Sequence, residues 1–206
     1  MIVTGSQGRE PAEEPLLQAM FEARKQVFVD LLKWDVPVLD GRYEIDQFDN
    51  EHAVYLIVAG PDGQHLGSAR LLPTTKPHIL DSLFPSLCAG EPPRGPDCFE
   101  ITRFCLGRNQ SARERLETRN RLVSGLAVHA LENRISAYTG VAELAWLQQI
   151  LAFGWRCRPL GLPQVIGGRT LGALRIDIDA ETPAMLAANG IFSPDWLEPH
   201  SRPLAA

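Results

Sequence analysis

The chain has few cysteines: four in 206 residues, at positions 88, 98, 105 and 157, with no C-x-x-C pair and no histidine at zinc-finger spacing. A structural metal site is therefore not expected, and the thiols read as reduced and half-buried. Long apolar runs are also missing. None approaches the roughly 20 residues that span a bilayer, and the opening MIVTGSQGREPAEEPLLQ lacks the basic and apolar regions of a signal peptide. A cytoplasmic protein without a membrane partner is expected. Positive charge is in deficit, 20 Lys and Arg against 25 Asp and Glu for a formal net of −5, so nothing draws nucleic acid to the whole molecule. There is no G-x-S-x-G, no P-loop, no G-x-G-x-x-G leading into a helix and no H-E-x-x-H, which leaves serine-hydrolase, nucleotide-motor and zinc-protease chemistry without residues.

What is present suffices for one core: 45 % of the residues are hydrophobic, and the length fits a single domain over 1–206. Apolar residues recur every three to four positions from Pro15 to Leu32 and again over 111–134, predicting two amphipathic helices. Ala53 to Ala59 and His65 to Leu72 flank the turn Gly60-Pro61-Asp62-Gly63 and predict a hairpin. Further strands are expected at 98–106, 135–141 and 164–178, with a helix over 142–153 ended by Gly154 and a short helical turn near His78 to Phe84. Residues 35–52 read as a loop, and about 1–14 and 180–206 as flexible ends. Helix, hairpin, strand, helix, strand, helix, strand is the order of an α/β protein: a mixed sheet with helices on its faces.

The run CFEITRFCL, residues 98–106, is apolar and β-prone yet carries Glu100 and Arg103, three apart, where strict alternation would aim them at opposite faces. Arg24, Glu44, Asp46, Asp49 and Arg70 likewise sit among apolar and aromatic residues. Burial of charge is unfavourable unless it is paired, so either these form one compensated cluster or they are separate surface ion pairs. Glu44, Asp46 and Asp49 lack the spacing of a calcium loop, and nearby aromatics and arginines suit an organic cation better than a hydrated metal, so no metal is expected.

The segments Arg24-Lys-Gln-Val-Phe28 with Trp34, Gly41-Arg-Tyr-Glu44-Ile-Asp46-Gln-Phe48-Asp49, Arg70-Leu-Leu-Pro-Thr-Thr-Lys-Pro and Glu100-Ile-Thr-Arg103-Phe occur in an order that resembles the acyl-homoserine-lactone synthases, the autoinducer synthases of LuxI type. The resemblance spans about residues 20–160. It implies a three-layer α/β/α, acetyltransferase-like (GNAT-like) fold in which the strands at 98–106 and 135–141 splay apart into a cleft for an acyl-pantetheine arm. It implies two substrates, S-adenosyl-L-methionine and an acyl thioester on acyl carrier protein or coenzyme A, no permanently bound cofactor, and a quorum-sensing lactone as product. The roles carried over are catalysis for Glu100, Arg103, Asp46 and Asp49, and S-adenosylmethionine binding for Arg24, Phe28, Trp34, Asp46 and Phe104. Glu44 and Arg70 are expected to be structural. A β-bulge would let Glu100 and Arg103 serve one pocket.

Candidate walls for the acyl chain are Ile101, Phe104, Leu126, Gly140, Ala142, Trp146 and Ile150, each equally plausible as ordinary core. In the resembled family a threonine after the long helix goes with 3-oxo chains. An ungapped count from Gly154 places Gly140 there, which favours a chain unsubstituted at C3, and one inserted residue would place Thr139 there instead. Arg108, Arg115 and Arg119 belong to a local basic stretch that would steer an acidic carrier protein or a phosphate-bearing thioester, or simply form a solvated helix face. The competing readings are a GNAT-type N-acyltransferase acting on another small amine and a non-catalytic regulator that binds acyl carriers.

Overall fold

The computed structural model describes residues 15–192 in full and residues 2–6 as backbone. The first apolar repeat forms helix α1 (Pro15–Arg24), which continues without a break as a π-helical stretch, Lys25–Leu31, so that the expected single α-helix is two geometries in sequence. Such widened turns are frequent at functional sites. Lys33, at φ +57°, stops the helix in the left-handed region, and the Trp34 N–H donates to the Phe28 carbonyl at 2.8 Å, folding Trp34 back onto Phe28.

Residues 35–52, expected as loop, contain a small hairpin of β2 (Val38–Leu39) and β3 (Tyr43–Glu44). Asp40 and Gly41 supply its turn with φ of +52° and +65°, the paired positive values that Asp-Gly adopts readily. The main hairpin follows as β4 (Val54–Ala59) and β5 (His65–Pro73), then the short helix α2 (Ile79–Ser82), β6 (Cys98–Leu106) and the long helix α3 (Ala112–Glu132). A capping box at Ser111 and Glu114 starts α3. Next come β7 (Ala137–Glu143), α4 (Leu144–Leu151), β8 (Arg156–Pro159), β9 (Gln164–Ile166) and β10 (Arg169–Asp177).

Apart from the β2–β3 hairpin, these strands and an edge strand β1 (Ile2–Ser6) make one mixed sheet in the order β1-β4-β5-β6-β7-β10-β8, with β9 also on β10. Every described pairing in it is antiparallel except β6–β7, which is parallel over three rungs, from Cys98↔Ala137 to Glu100↔Thr139. Beyond Glu100 the two strands part. On one face, α1 packs Leu17, Met20 and Phe21 against Tyr55, Ile57 and Leu72. On the other, α3 and α4 bury Leu122, Leu126 and Leu147 with Leu56, Leu71, Tyr138 and Leu174. The fold is therefore the expected three-layer α/β/α arrangement with splayed strands.

Both ends depart from expectation. The edge strand β1 (Ile2–Ser6) pairs with β4 at the N-terminus, where the polar sequence offered no strand signal. Helix α5 (Thr182–Ala188) follows β10, and it and the turn behind it seat Leu186 and Ile191 in the core beside α3, so residues 180–192 are packed; 1, 7–14 and 193–206 lie outside the described residues. Leu122 is wholly buried at the centre of the α3 face. Leu122→Ala should destabilise the protein by about 2–5 kcal/mol, read from urea denaturation, through lost transfer energy and the cavity left behind.

Candidate active site

The sheet register explains how one strand carries two ionisable groups. Between Ser68↔Cys105 and Arg70↔Thr102, β6 has one residue more than β5, and Arg103 in that bulge has φ +49°. Thr102 meets Arg70, its Oγ1 accepting from Nε at 2.9 Å, on the α1 face of the sheet. Alternation would send Arg103 to the opposite face. The bulge instead turns it to the α1 side, a left-handed conformation that costs a bulky residue about 1–3 kcal/mol. Contacts of its guanidinium with Glu44 at 3.0 and 3.1 Å and Asp46 at 2.6 Å offset that strain.

Those contacts belong to a closed network of six charges. Arg24 donates from Nε to Glu44 at 2.6 Å and through both terminal nitrogens to Asp49 at 2.8 and 2.9 Å. Arg70 grips Asp46 at 2.6 and 3.0 Å and lies 2.7 Å from Asp49, which also accepts from the Tyr55 hydroxyl at 2.8 Å. Three guanidiniums thus face three carboxylates, and no side chain among the six is more than 9 % exposed. Burial alone would raise the Asp49 carboxyl; Arg24 and Arg70 outweigh it and hold the group well below the usual carboxylate range. Arg24 and Arg70 are in turn raised by those carboxylates against a burial that favours neutrality. The compensated cluster, not the set of surface pairs, is what the chain builds.

Glu100 is absent from this network. It is fully buried, and its two oxygens accept from the Ile79 and Leu80 N–H groups that open α2, at 2.7 and 3.0 Å. Burial pushes its carboxyl up to about 8, against the pull of those two amides. The bulge expected to bring Glu100 and Arg103 together is present, but the two side chains have different partners. The bulge puts both on the same side of the sheet, but the α2 amides capture Glu100 while Arg103 joins Glu44 and Asp46.

A cavity of about 400 Å³ opens where β6 and β7 part. Phe28, Trp34 and Arg103 line it on the α1 side; Phe28 and Trp34 are stacked with centroids 4.7 Å apart, and the Arg103 guanidinium lies 5.6 and 5.8 Å from the two rings. All seven residues expected for an acyl chain are on its wall: Ile101 and Phe104 from β6, Leu126 from α3, Gly140 and Ala142 from β7, and Trp146 and Ile150 from α4. Arg24, Glu44, Asp46, Asp49, Arg70 and Glu100 are not. Arg24 and the two aspartates are therefore corrected from expected substrate contacts to a layer behind the wall, since their polar atoms are spent on one another. Among the proposed docking residues, Arg108 is exposed and Arg115 lines the cavity, donating to the Gly107 carbonyl at 2.9 Å. Arg119 is half-buried, its guanidinium 5.0 Å over the Phe153 ring.

Sequence reading missed Thr102 and Glu143 on this wall and offered Thr139 only as the alternative to Gly140. Thr139 stands in register with Glu100 and its hydroxyl, fully buried, has no partner among the described residues. The parallel pairing that sets Thr139 beside Glu100 is invisible in a single chain's pattern. Among the described residues no group of three or more His, Cys, Asp or Glu could hold a metal, and each carboxylate of the acidic loop faces an arginine. Asp49→Asn should destabilise the fold by about 3–5 kcal/mol, because Arg24 and Arg70 would stay buried without their anion. Stability from the Asp49 carboxylate should also fade as pH drops through and below its ordinary value of 3.8, since protonation is favoured in the unfolded chain; denaturation curves from pH 7 to 3 measure both effects.

Residues 10–186 match the family model for autoinducer synthases. The chain is 36 % identical over 189 residues to an acyl-homoserine-lactone synthase of Ralstonia nicotianae, covering 89 % of this chain and 91 % of that one. It is 31 % identical to one of Pseudomonas aeruginosa, covering 84 % and 88 %. Among solved structures, a CoA-dependent acyl-homoserine lactone synthase, BjaI, with SAM and isopentyl-CoA superposes with a TM-score of 0.80 at 28 % identity, covering 94 % of this chain and 90 % of that one. TofI in a ternary complex with an inhibitor and MTA gives 0.76 at 30 % identity, covering 95 % and 99 %. With its splayed sheet, its six-charge network and this likeness along nearly its whole length, the chain belongs to the autoinducer synthase family, the acyl-homoserine-lactone synthases.

Proposed function

We propose that this enzyme acylates the amine of S-adenosylmethionine from an acyl thioester in the slot between β6 and β7, with Glu100 as the base, and then closes the lactone. The observation that carries this reading is a cavity whose aromatic, guanidinium-backed end meets an apolar end exactly at the break in the sheet, with a proton acceptor of raised affinity one layer behind the break. The amine nitrogen attacks the thioester carbonyl, its proton passes to Glu100, and the carrier thiol leaves with its sulfur electron pair. The substrate carboxylate then displaces sulfur at the γ-carbon; methylthioadenosine departs as a neutral thioether and the acyl-homoserine lactone remains. Ring closure needs a folded-back chain more than acid catalysis, and intramolecular geometry supplies an effective concentration of about 10⁵–10⁸ M.

In this reading the proton travels to Glu100 past Thr102 and Thr139, wall residues on β6 and β7, directly or through one water, as a general base requires. Phe28 and Trp34 offer apolar and cation–π surface to the S-adenosylmethionine end, and Arg103, fixed by Glu44 and Asp46, faces it. Arg24, Arg70 and Asp49 keep that wall in place. Ile101, Phe104, Leu126, Gly140, Ala142, Trp146 and Ile150 hold the acyl chain. The donor arrives on acyl carrier protein or coenzyme A, steered by Arg108, Arg115 and Arg119 at the start of α3. Four free thiols and the absence, among described residues, of a helix able to cross a membrane accord with work in the cytoplasm.

Acyl transfer, followed as thiol release, should rise with pH along a limb centred near 8, because only ionised Glu100 takes the proton. Glu100→Gln should lower the rate by about 10²–10⁴ and flatten that limb, and near-normal turnover in the variant would remove Glu100 from the role. Arg108→Glu should raise KM for an acyl carrier protein donor, most at low salt, with methylthioadenosine release as the readout; a KM insensitive to salt refutes carrier docking there.

A further inference from the structure

The acidic residues that first draw attention are not available to a cationic substrate, because each is matched by a guanidinium in the layer behind the wall. Among the described residues the cavity wall carries one carboxylate, Glu143, at the end of β7. Its Oε1 accepts from the Trp34 indole N–H at 3.3 Å and pairs with Arg169 Nη1. Arg169, at the start of β10, also donates to the Leu32 carbonyl and sits 5.9 Å from the Trp34 ring, on an aromatic pair that Arg103 already flanks. Arg103 is neutralised by Glu44 and Asp46, and Arg169 by Glu143 alone. The side chains of Glu143 and Arg169 are 37 % and 33 % exposed, so this pair, unlike the buried six, can exchange partners with solvent close by.

A sulfonium entering beside Phe28 and Trp34 adds a fixed positive charge between two guanidiniums. Both guanidiniums are already matched by carboxylates, so the added charge has no anion of its own. We propose that Glu143 is the counter-ion of the S-adenosylmethionine sulfonium, and that Arg169 occupies that carboxylate in the empty enzyme and swings into solvent when the substrate enters. The inference rests on the assignment of the Phe28–Trp34 end to S-adenosylmethionine and adds the residue that reads its charge. The sulfonium is the group to be read, because the amine must be neutral to attack. When the ring closes, sulfur becomes neutral, Glu143 loses its partner, and Arg169 returns as methylthioadenosine leaves.

Calorimetry on the full-length protein tests this with two ligands that differ only in the methyl group and charge on sulfur, S-adenosylmethionine and S-adenosylhomocysteine. Glu143→Gln, which keeps an oxygen for the Trp34 N–H, should weaken S-adenosylmethionine by about fivefold and leave S-adenosylhomocysteine within about twofold. Arg169→Gln should act in the opposite direction and tighten S-adenosylmethionine, because it removes the competing cation. In turnover, Glu143→Gln should raise KM for S-adenosylmethionine more than it lowers kcat, since the charge vanishes in the second step. Equal weakening of both ligands by Glu143→Gln, or weaker S-adenosylmethionine binding in Arg169→Gln, would overturn the proposal and leave the pair as a brace for Trp34. A wild-type protein that binds neither ligand overturns the assignment of the cavity itself.

Discussion

Three guanidiniums and three carboxylates share one apolar interior, and the positions of five separate segments follow from their need to meet. Arg24 comes from α1, Glu44 from the small hairpin, Asp46 and Asp49 from the loop after it, Arg70 from β5 and Arg103 from β6. None can withdraw without stranding an opposite charge out of reach of water, so the network acts as a register between the N-terminal layer and the sheet. It also explains a backbone feature that would otherwise be unfavourable: the left-handed Arg103 persists because two carboxylates wait on the side to which it is turned.

The same network separates the acids by role. Asp49, ringed by Arg24, Arg70 and Tyr55, is kept ionised and has no spare capacity for a proton at working pH. Glu100, in an equally buried setting but with backbone amides as its only hydrogen-bond partners in the described structure, has its affinity for a proton raised into the range where catalysis can use it. Two carboxylate populations with opposite environments, a few residues apart in the fold, divide the work of holding the wall and moving a proton.

Much of this was legible in the chain. The periodicity of 15–32 and 111–134, the hairpin around Gly60 to Gly63 and the apolar run at 98–106 each marked an element, because burial against one sheet imposes those repeats. The seven residues offered as walls for an acyl chain followed from the family resemblance, and all of them lie on the cavity. The hairpin at 38–44 was overlooked although Asp40-Gly41 between Val38-Leu39 and Tyr43 is a turn signal. Other features left no local trace. The π-helical turn after Arg24 keeps the same apolar spacing as an α-helix would, β8 is a charged Arg-Cys-Arg-Pro that becomes a strand only through β10, and the capture of Glu100 by α2 joins residues 20 apart through a connection without periodicity. Nothing in the sequence singles out Glu143 and Arg169, because their meeting with Trp34 depends on β7 and β10 lying side by side.

The parting of β6 and β7 has a consequence for solubility and for folding fidelity. Two strands that stop pairing after three rungs present backbone donors and acceptors that a neighbouring molecule could in principle zip onto, which is the usual route to edge-to-edge aggregation. Here both unpaired margins face inward, roofed by α3 and α4 on one side and by the Phe28–Trp34 stack on the other, so only a slender guest of the right shape can reach them. The enzyme keeps an unfinished sheet at its centre without offering it to other copies of itself.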